Sequence, residues 1–404
     1  MILRTKIAAA VSAVLFVAVG TATADVTLYD YTETASSYQD ATLGGKFNTS
    51  NGNGHGQTAY NASLDLDYNR VMSSANRNLE MNFLGSGSII RGKEVGSSST
   101  SSYSAKGDAT LENYFSPDSK GLYWYGSAEV GLEKKYDDLF TKIGAGVGYG
   151  RVVNVTPLAK AMRLIEALVD EGILAKEPNK ATYLKVAQVV SREDEYKSKY
   201  RLGNYEQQWI ADIEKALLAS GQVQGSLGAV GTIKVHDVLI NERIFLRKHG
   251  WKVNAGLGLI LSNYDGTSGG DPTLDIGGEY HQPIDNKTQF SNTATLSGIF
   301  GGDNTGTRFN NEMKLTRELT DKIDWENTWV LDYNKAGDNG GKDLTKHELS
   351  SIFHYHLNNK LDLEVIAKVS DAEDGIANNA NTDADDDNDD TDLSLNIGLS
   401  YRLQ

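Results

Sequence analysis

Carboxylates recur at even spacings along this 404-residue chain. Asp65 and Asp67, Asp324 and Glu326, and Asp362 and Glu364 stand two apart. Glu129 and Glu133, and Asp275 and Glu279, stand four apart, and Glu348 follows Lys346 by two. Even spacing puts both members of a pair on one face of a β-strand. Lys106, Lys142, Lys252, Lys314, Lys368 and Arg402 fall on the same faces, in smaller number. A water-filled space lined this way concentrates cations and repels anions. Paired off, the same groups would instead fill a closed space with a charge network. His354 and His356 share one face at a spacing that can hold a metal ion. No third ligand stands near them in sequence, so no metal is expected.

Other chemistries lack their motifs. There is no G-x-S-x-G nucleophile turn, no H-E-x-x-H pair and no glycine-rich phosphate loop opening a helix. The chain has no cysteine, which removes disulfides, thiolate metal sites and thiol catalysis. Neither enzyme activity nor a cofactor is expected. The net charge of −15 argues against a nucleic-acid partner. The acidic run from Asp383 to Asp390 has the composition of a calcium loop but not its glycine or closing glutamate, and reads as a solvated loop.

The elements that carry these residues alternate with period two. In Trp251–Leu261, Trp251, Val253, Ala255, Leu257, Leu259 and Leu261 share a face; in Leu361–Val369 the odd-numbered positions do. The same pattern runs near 58–71, 103–115, 122–133, 139–151, 273–282, 288–300, 308–319, 323–329, 346–357 and 392–403, and more weakly near 37–48 and 77–91. Many strands of about ten residues fit a sandwich or a barrel. The connections favour a barrel, because they alternate in length. Long glycine-, asparagine- and aspartate-rich stretches lie at 49–57, 92–101, 264–272, 301–307, 335–345 and 371–391. Short ones lie at 73–76, 116–121, 283–287, 320–322 and 357–360. Only the gap at 134–138 is short on the long side. Outer-membrane barrels have short periplasmic turns and longer outside loops.

The predicted fold is an all-β transmembrane antiparallel barrel of about 14 strands with an α-helical periplasmic insertion. Residues 1–24 read as a signal peptide, with Arg4 and Lys6, an apolar run and Ala22-Thr23-Ala24 before the cut. The first barrel strands are expected in 25–153, the insertion at 154–249, and the second set of strands in 250–404. An even count returns both ends of the barrel to the periplasm. Mean hydropathy is −0.41, which such a barrel tolerates because half of each strand faces water. Trp251, Trp325, Trp329, Tyr333, Tyr355 and Tyr401 are candidates for its aromatic girdles.

The end of the chain, DLSLNIGLSYRLQ, contains Asn396, Gly398, Tyr401 and Leu403 at the spacing polar, any, glycine, two of any, aromatic, any, hydrophobic. It resembles the C-terminal assembly signal of bacterial outer-membrane β-barrel proteins, departing from it in the final Gln404. That resemblance implies the bacterial outer membrane as location, with its lipid and lipopolysaccharide, and the barrel assembly machinery as a partner. A shorter, local stretch, LYWYGSAEVGLEKKYDDLFTKIGAGVGYG at 122–150, resembles the salt-induced outer-membrane proteins, a family that implies no enzyme activity.

Within 154–249 the period becomes helical. Thr156-Pro157 reads as an N-cap followed by proline at the first position, with Leu158, Met162, Ile165 and Leu168 on one stripe and Gly172 closing it. Further helices are expected from Lys180, after Asn204, and from Ala229 to Lys248. Two placements remain open. The block hangs in the periplasm, or it enters the lumen as a plug. Gly144, Gly146, Gly148, Gly150, Gly256 and Gly258 face inward beside its attachment points and would clear a groove for it; glycine kinks that bend the sheet explain them equally well. The block also holds 14 Lys/Arg against 12 Asp/Glu, whereas the rest is strongly acidic. The expected function is a passive pore for small hydrophilic solutes, cation-preferring and plugged or gated by the insertion. The alternative is a non-conducting scaffold whose insertion binds a periplasmic protein through residues such as Tyr196, Lys197, Lys199, Tyr200 and Trp209.

Overall fold

The computed structural model describes residues 26–32, 35–50, 56–117, 121–200, 204–223, 225–264, 268–301, 305–336, 343–358, 360–374 and 391–403. The expected signal peptide and the acidic run 383–390 lie outside these. Fourteen antiparallel strands close into one barrel in sequence order. They are β1 (Ser36–Ser50), β2 (Ala59–Ser73), β3 (Arg77–Arg91), β4 (Thr100–Tyr114), β5 (Leu122–Glu133), β6 (Phe140–Asn154), β7 (Lys248–Ser262), β8 (Ser268–Pro283), β9 (Thr288–Ile299), β10 (Gly306–Thr320), β11 (Ile323–Ala336), β12 (Leu344–His356), β13 (Leu361–Asp374) and β14 (Asp392–Arg402).

The period-two pattern decides which face meets what. Leu257, Leu395 and Ile397 are 71%, 73% and 67% exposed on the outside of the wall. Such a belt of exposed apolar side chains around a closed barrel is stable in hydrocarbon and not in water. Closure pairs every consecutive strand edge and leaves no open sheet, with the β1–β14 seam alone paired over only part of its length. The chain is therefore a transmembrane β-barrel of the bacterial outer membrane. Trp251, Trp325, Tyr355 and Tyr401 stand outward at the short-turn end, where Trp325 stacks on Phe353 with centroids 5.9 Å apart. Tyr333 pairs with Phe309 toward the other end. Trp329, midway along β11, belongs to neither ring.

Between β6 and β7 lie α1 (Thr156–Asp170), α2 (Lys180–Val190), α3 (Glu193–Lys199), α4 (Tyr205–Leu218) and α5 (Gly228–His236), followed by a π-helical turn at Asp237–Asn241. They bury their own core: Leu158, Leu164, Ile165, Leu168, Trp209, Ile213 and Leu217 are fully enclosed. The Trp209 indole N–H donates to the Val189 carbonyl at 2.9 Å, fixing α4 on α2. Val26, Leu28 and Tyr31, ahead of β1, join this core.

Three local expectations differ from what is observed. Thr156 is the first helical residue and not the cap; the Asn154 side chain accepts from the Thr156 N–H at 3.0 Å. The short helix α3 was not visible in the pattern, because seven residues carry only one buried side chain, Tyr196. The last helix does not run to Lys248, since residues 242–247 are extended and lead directly into β7.

Candidate functional site

The extended segment Glu242-Arg243-Ile244-Phe245-Leu246-Arg247 crosses the short-turn mouth of the barrel as a strap. Alternation sends Arg243, Phe245 and Arg247 toward the strands and buries Ile244 in the helical core. Arg243 Nη1 donates to Asp362 Oδ2 on β13 at 2.9 Å, and its Nη2 lies 3.5 Å from Asp40 Oδ2 on β1. Burial alone would lower the Arg243 pKa; Asp40 and Asp362 outweigh it and hold the guanidinium above its ordinary value. The Phe245 ring meets His354 of β12 edge-on at 6.0 Å.

Arg247, with no exposed side-chain surface, donates to Glu318 Oε1 on β10 at 2.6 Å, to the Lys287 carbonyl at 2.9 Å and to Thr316 Oγ1 at 3.3 Å. Its burial pulls the guanidinium pKa down, against the pull of Glu318. The strap's flanks are tied as well. Arg163 of α1 binds Glu242 at 3.0 Å and pairs with Asp321 in the β10–β11 turn. Arg402 of β14 donates to the Ile240 carbonyl at 3.2 Å.

The sequence-predicted carboxylates all lie on strands at inward positions, and most have partners. His356 bridges Asp362 Oδ1 at 2.7 Å and Asp324 Oδ2 at 2.9 Å. His354 Nδ1 is within ion-pair distance of Glu364 at 3.2 Å, though out of line for a hydrogen bond. The two histidines thus meet separate carboxylates. Among the described residues no cluster of His, Asp and Glu is arranged to hold a metal.

Lys252 pairs with both Glu112 of β4 and Glu279 of β8, the latter at 3.0 Å, and Glu279 also meets His281 at 3.1 Å. Lys142 donates to Asp275 at 2.7 Å. Lys314 pairs with Glu326 at 3.2 Å and Lys106 with Glu129 at 2.9 Å. Glu348 lies between Lys346 and Lys368 at 3.1 and 2.7 Å. Asp65, Asp67 and Glu133 have no ion-pair partner among the described residues, and all three line a lumen cavity of about 590 Å³.

The inward glycines are explained by neighbours within the wall. A Cβ on Gly146 would stand 2.6 Å from the Tyr125 ring, one on Gly148 2.3 Å from Tyr123, and one on Gly256 2.4 Å from the Tyr125 hydroxyl. The two tyrosines of β5 lie across β6 and β7 in the groove these glycines leave. The groove expected to receive the helical block is thus filled from β5. Lys252 reaches Glu112 across the same region.

The strap lies where the sequence predicts a helix. Its signal was Arg243, Phe245 and Arg247 at alternate positions, an extended pattern placed where a helix was expected.

A closed barrel with charged residues inside, a belt of apolar residues outside and a strapped mouth defines a membrane-barrel protein of channel-like architecture. A family described only as a protein of unknown function, DUF481, matches residues 244–357. No curated protein matches. Solved structures of similar fold include CdiB from Escherichia coli, 7% identical over 90% of this chain with a TM-score of 0.39. This chain spans 63% of the CdiB chain. The outer membrane protein Omp33 of Acinetobacter baumannii is 10% identical over 92% of this chain and 100% of its own, with a TM-score of 0.30. Salmonella typhi OmpF, solved in complex with daunomycin, is 8% identical over 92% of this chain and 99% of its own, with a TM-score of 0.33.

Proposed function

We propose that this protein is a passive outer-membrane channel for small hydrophilic solutes, cation-preferring, whose periplasmic mouth is gated by the strap and the helical cap that carries it. The observation that carries this reading is the double anchoring of the strap by Arg243 and Arg247. A simple turn between β6 and β7 would need neither arginine. The preference for cations rests on Asp65, Asp67 and Glu133, which face the cavity without a paired base.

Planar-bilayer conductance tests both parts. Unmodified protein should give small or infrequent steps. Protein with 156–247 replaced by a short turn should give larger ones, with reversal potentials toward cations. Silence in both would sink the channel reading. Anion-directed potentials would sink the preference.

One observation favours a second reading, a scaffold that binds a periplasmic protein. Val230 and Ile233 of α5 are 59% and 61% exposed, an apolar spot on the helical cap itself. Neither reading assigns the chain a reaction.

A further inference from the structure

Closure of this barrel is uneven. Every seam between consecutive strands is paired over at least ten positions, the shortest being β5–β6 and β13–β14. The closing seam is paired at only four, from Thr42 opposite Arg402 to Gly45 opposite Leu399. One further bond, from the Leu403 N–H to the Ala41 carbonyl at 2.8 Å, lies at the periplasmic end. Both strands continue outward. β1 stays paired with β2 to Ser50, and β14 stays paired with β13 to Asp392 or beside it. Continuing the register would set Lys46 opposite Gly398 and Ser50 opposite Ser394, yet no pairing forms there.

Unpaired N–H and C=O groups at membrane depth are tolerated only where they border a water-filled cavity. Such a cavity is present. Gly44 and Lys46 of β1 and Gly398 and Ser400 of β14 line the 590 Å³ lumen space. The Lys46 stem lies over Gly398, within 3.4 Å of where a Cβ would stand. The strands are therefore still neighbours, without the room a further strand on either side would need. The cavity is also amphipathic. Ile352 of β12 and Ile366 of β13, directly opposite one another in register, and Leu84 of β3 point into it beside Asp65, Asp67 and Lys106. On the outside, Phe47, Leu393, Leu395 and Ile397 continue the apolar belt up to the seam.

We propose that the outer half of the β1–β14 seam is a lateral opening between bilayer and lumen. It admits the acyl chain of an amphiphile, with the chain against Ile352 and Ile366 and the polar head among the cavity's charged groups. An acyl chain, unlike a strand, enters without new backbone pairing and meets apolar side chains on both sides of the wall. This is independent of whether the barrel conducts ions.

The test places the photo-crosslinker p-benzoylphenylalanine at Ile366 in the full-length protein in outer membranes, with the lipid-facing Leu395 position as positive control. Mass spectrometry should find acyl-chain adducts at both. A disulfide between Asn48→Cys and Asn396→Cys, positions that the continued register would set opposite one another, should remove the Ile366 adduct. It should leave the Leu395 adduct intact, and reduction should restore the first. Heat-modifiable gel mobility checks that the locked barrel is folded. No adduct at Ile366 beside a strong one at Leu395 overturns the proposal, as does an Ile366 adduct indifferent to the lock. Chain-to-chain dimers of the single Asn396→Cys variant would assign the seam to a second copy and overturn it too. Bilayer conductance of the locked protein, read separately, reports only on the channel.

Discussion

Replacing Arg247 with alanine gives the most demanding test of the strap. The guanidinium has no exposed surface, and Glu318, its charge partner at 2.6 Å, is 11% exposed. Alanine would leave the Glu318 carboxylate enclosed with no cation beside it. It would also remove the donors that meet the Lys287 carbonyl and Thr316. Deleting one member of a buried pair costs about 3–5 kcal/mol. At about 1.4 kcal/mol per factor of ten, this shifts the equilibrium between seated and released strap by roughly two to three and a half powers of ten. Release lets water reach Glu318, so the mutation weighs on the seated state and the barrel itself survives. Single-channel recordings should show open probability rising by at least about 10² unless it saturates. The Glu318→Gln/Arg247→Ala double variant should open less readily than Arg247→Ala alone, since no charge is then stranded. Unchanged open probability in Arg247→Ala would refute the argument. So would purely additive effects in the cycle, which would mean that the pair carries no coupling.

Lys252→Met should lower barrel stability by about 3–5 kcal/mol, because Glu112 and Glu279 lose their shared cation; unfolding in urea from lipid vesicles measures it, and Lys252→Met/Glu112→Gln should recover part. Gly148→Val would place atoms inside the Tyr123 ring. Folded, heat-modifiable protein should fall sharply, and Gly148→Val/Tyr123→Ala should restore some of it. Tyr401→Ala and Leu403→Ala should slow membrane insertion while leaving the helical core intact, as seen by assembly kinetics against the near-ultraviolet signal of Trp209. In the helical cap, hydrogen bonds from Lys215 and Tyr196 hold the Asp212 carboxyl below the usual carboxylate range. A lowered folded pKa adds stability above the unfolded value of about 3.9 and loses it as pH falls through the folded value. The cap should therefore loosen on acidification below about pH 4, and Asp212→Asn should already lack that increment at neutral pH and show a flatter acid limb.

The period of two sufficed for the wall. Apolar residues at alternate positions, with connections long on one side and short on the other, have one consistent solution in a membrane, a closed antiparallel barrel. The pattern therefore placed each of the 14 strands and put Asp65, Glu279 and Asp362 on the polar faces of theirs without any knowledge of neighbours. Helical spacing placed α1, α2 and α4 for the same reason, since each buries a stripe of its own. Tertiary structure decided everything that depends on which strands face across space. Periodicity could show that Lys252 and Glu112 both point inward, but not that β5 and β6, cleared by glycines and overlaid by tyrosines, let them meet. It could put Asp362 on the polar face of its strand, but not show that one six-residue strap would bring arginines to Asp40, Asp362 and Glu318. It showed β1 as a weakly patterned strand and β14 as a regular one, while only the register revealed that their pairing stops above Gly45. Periodicity records what each residue needs from its surroundings, whether lipid, water or core. Ion pairs, clefts and open seams are relations between distant segments, and these exist only once the barrel has closed.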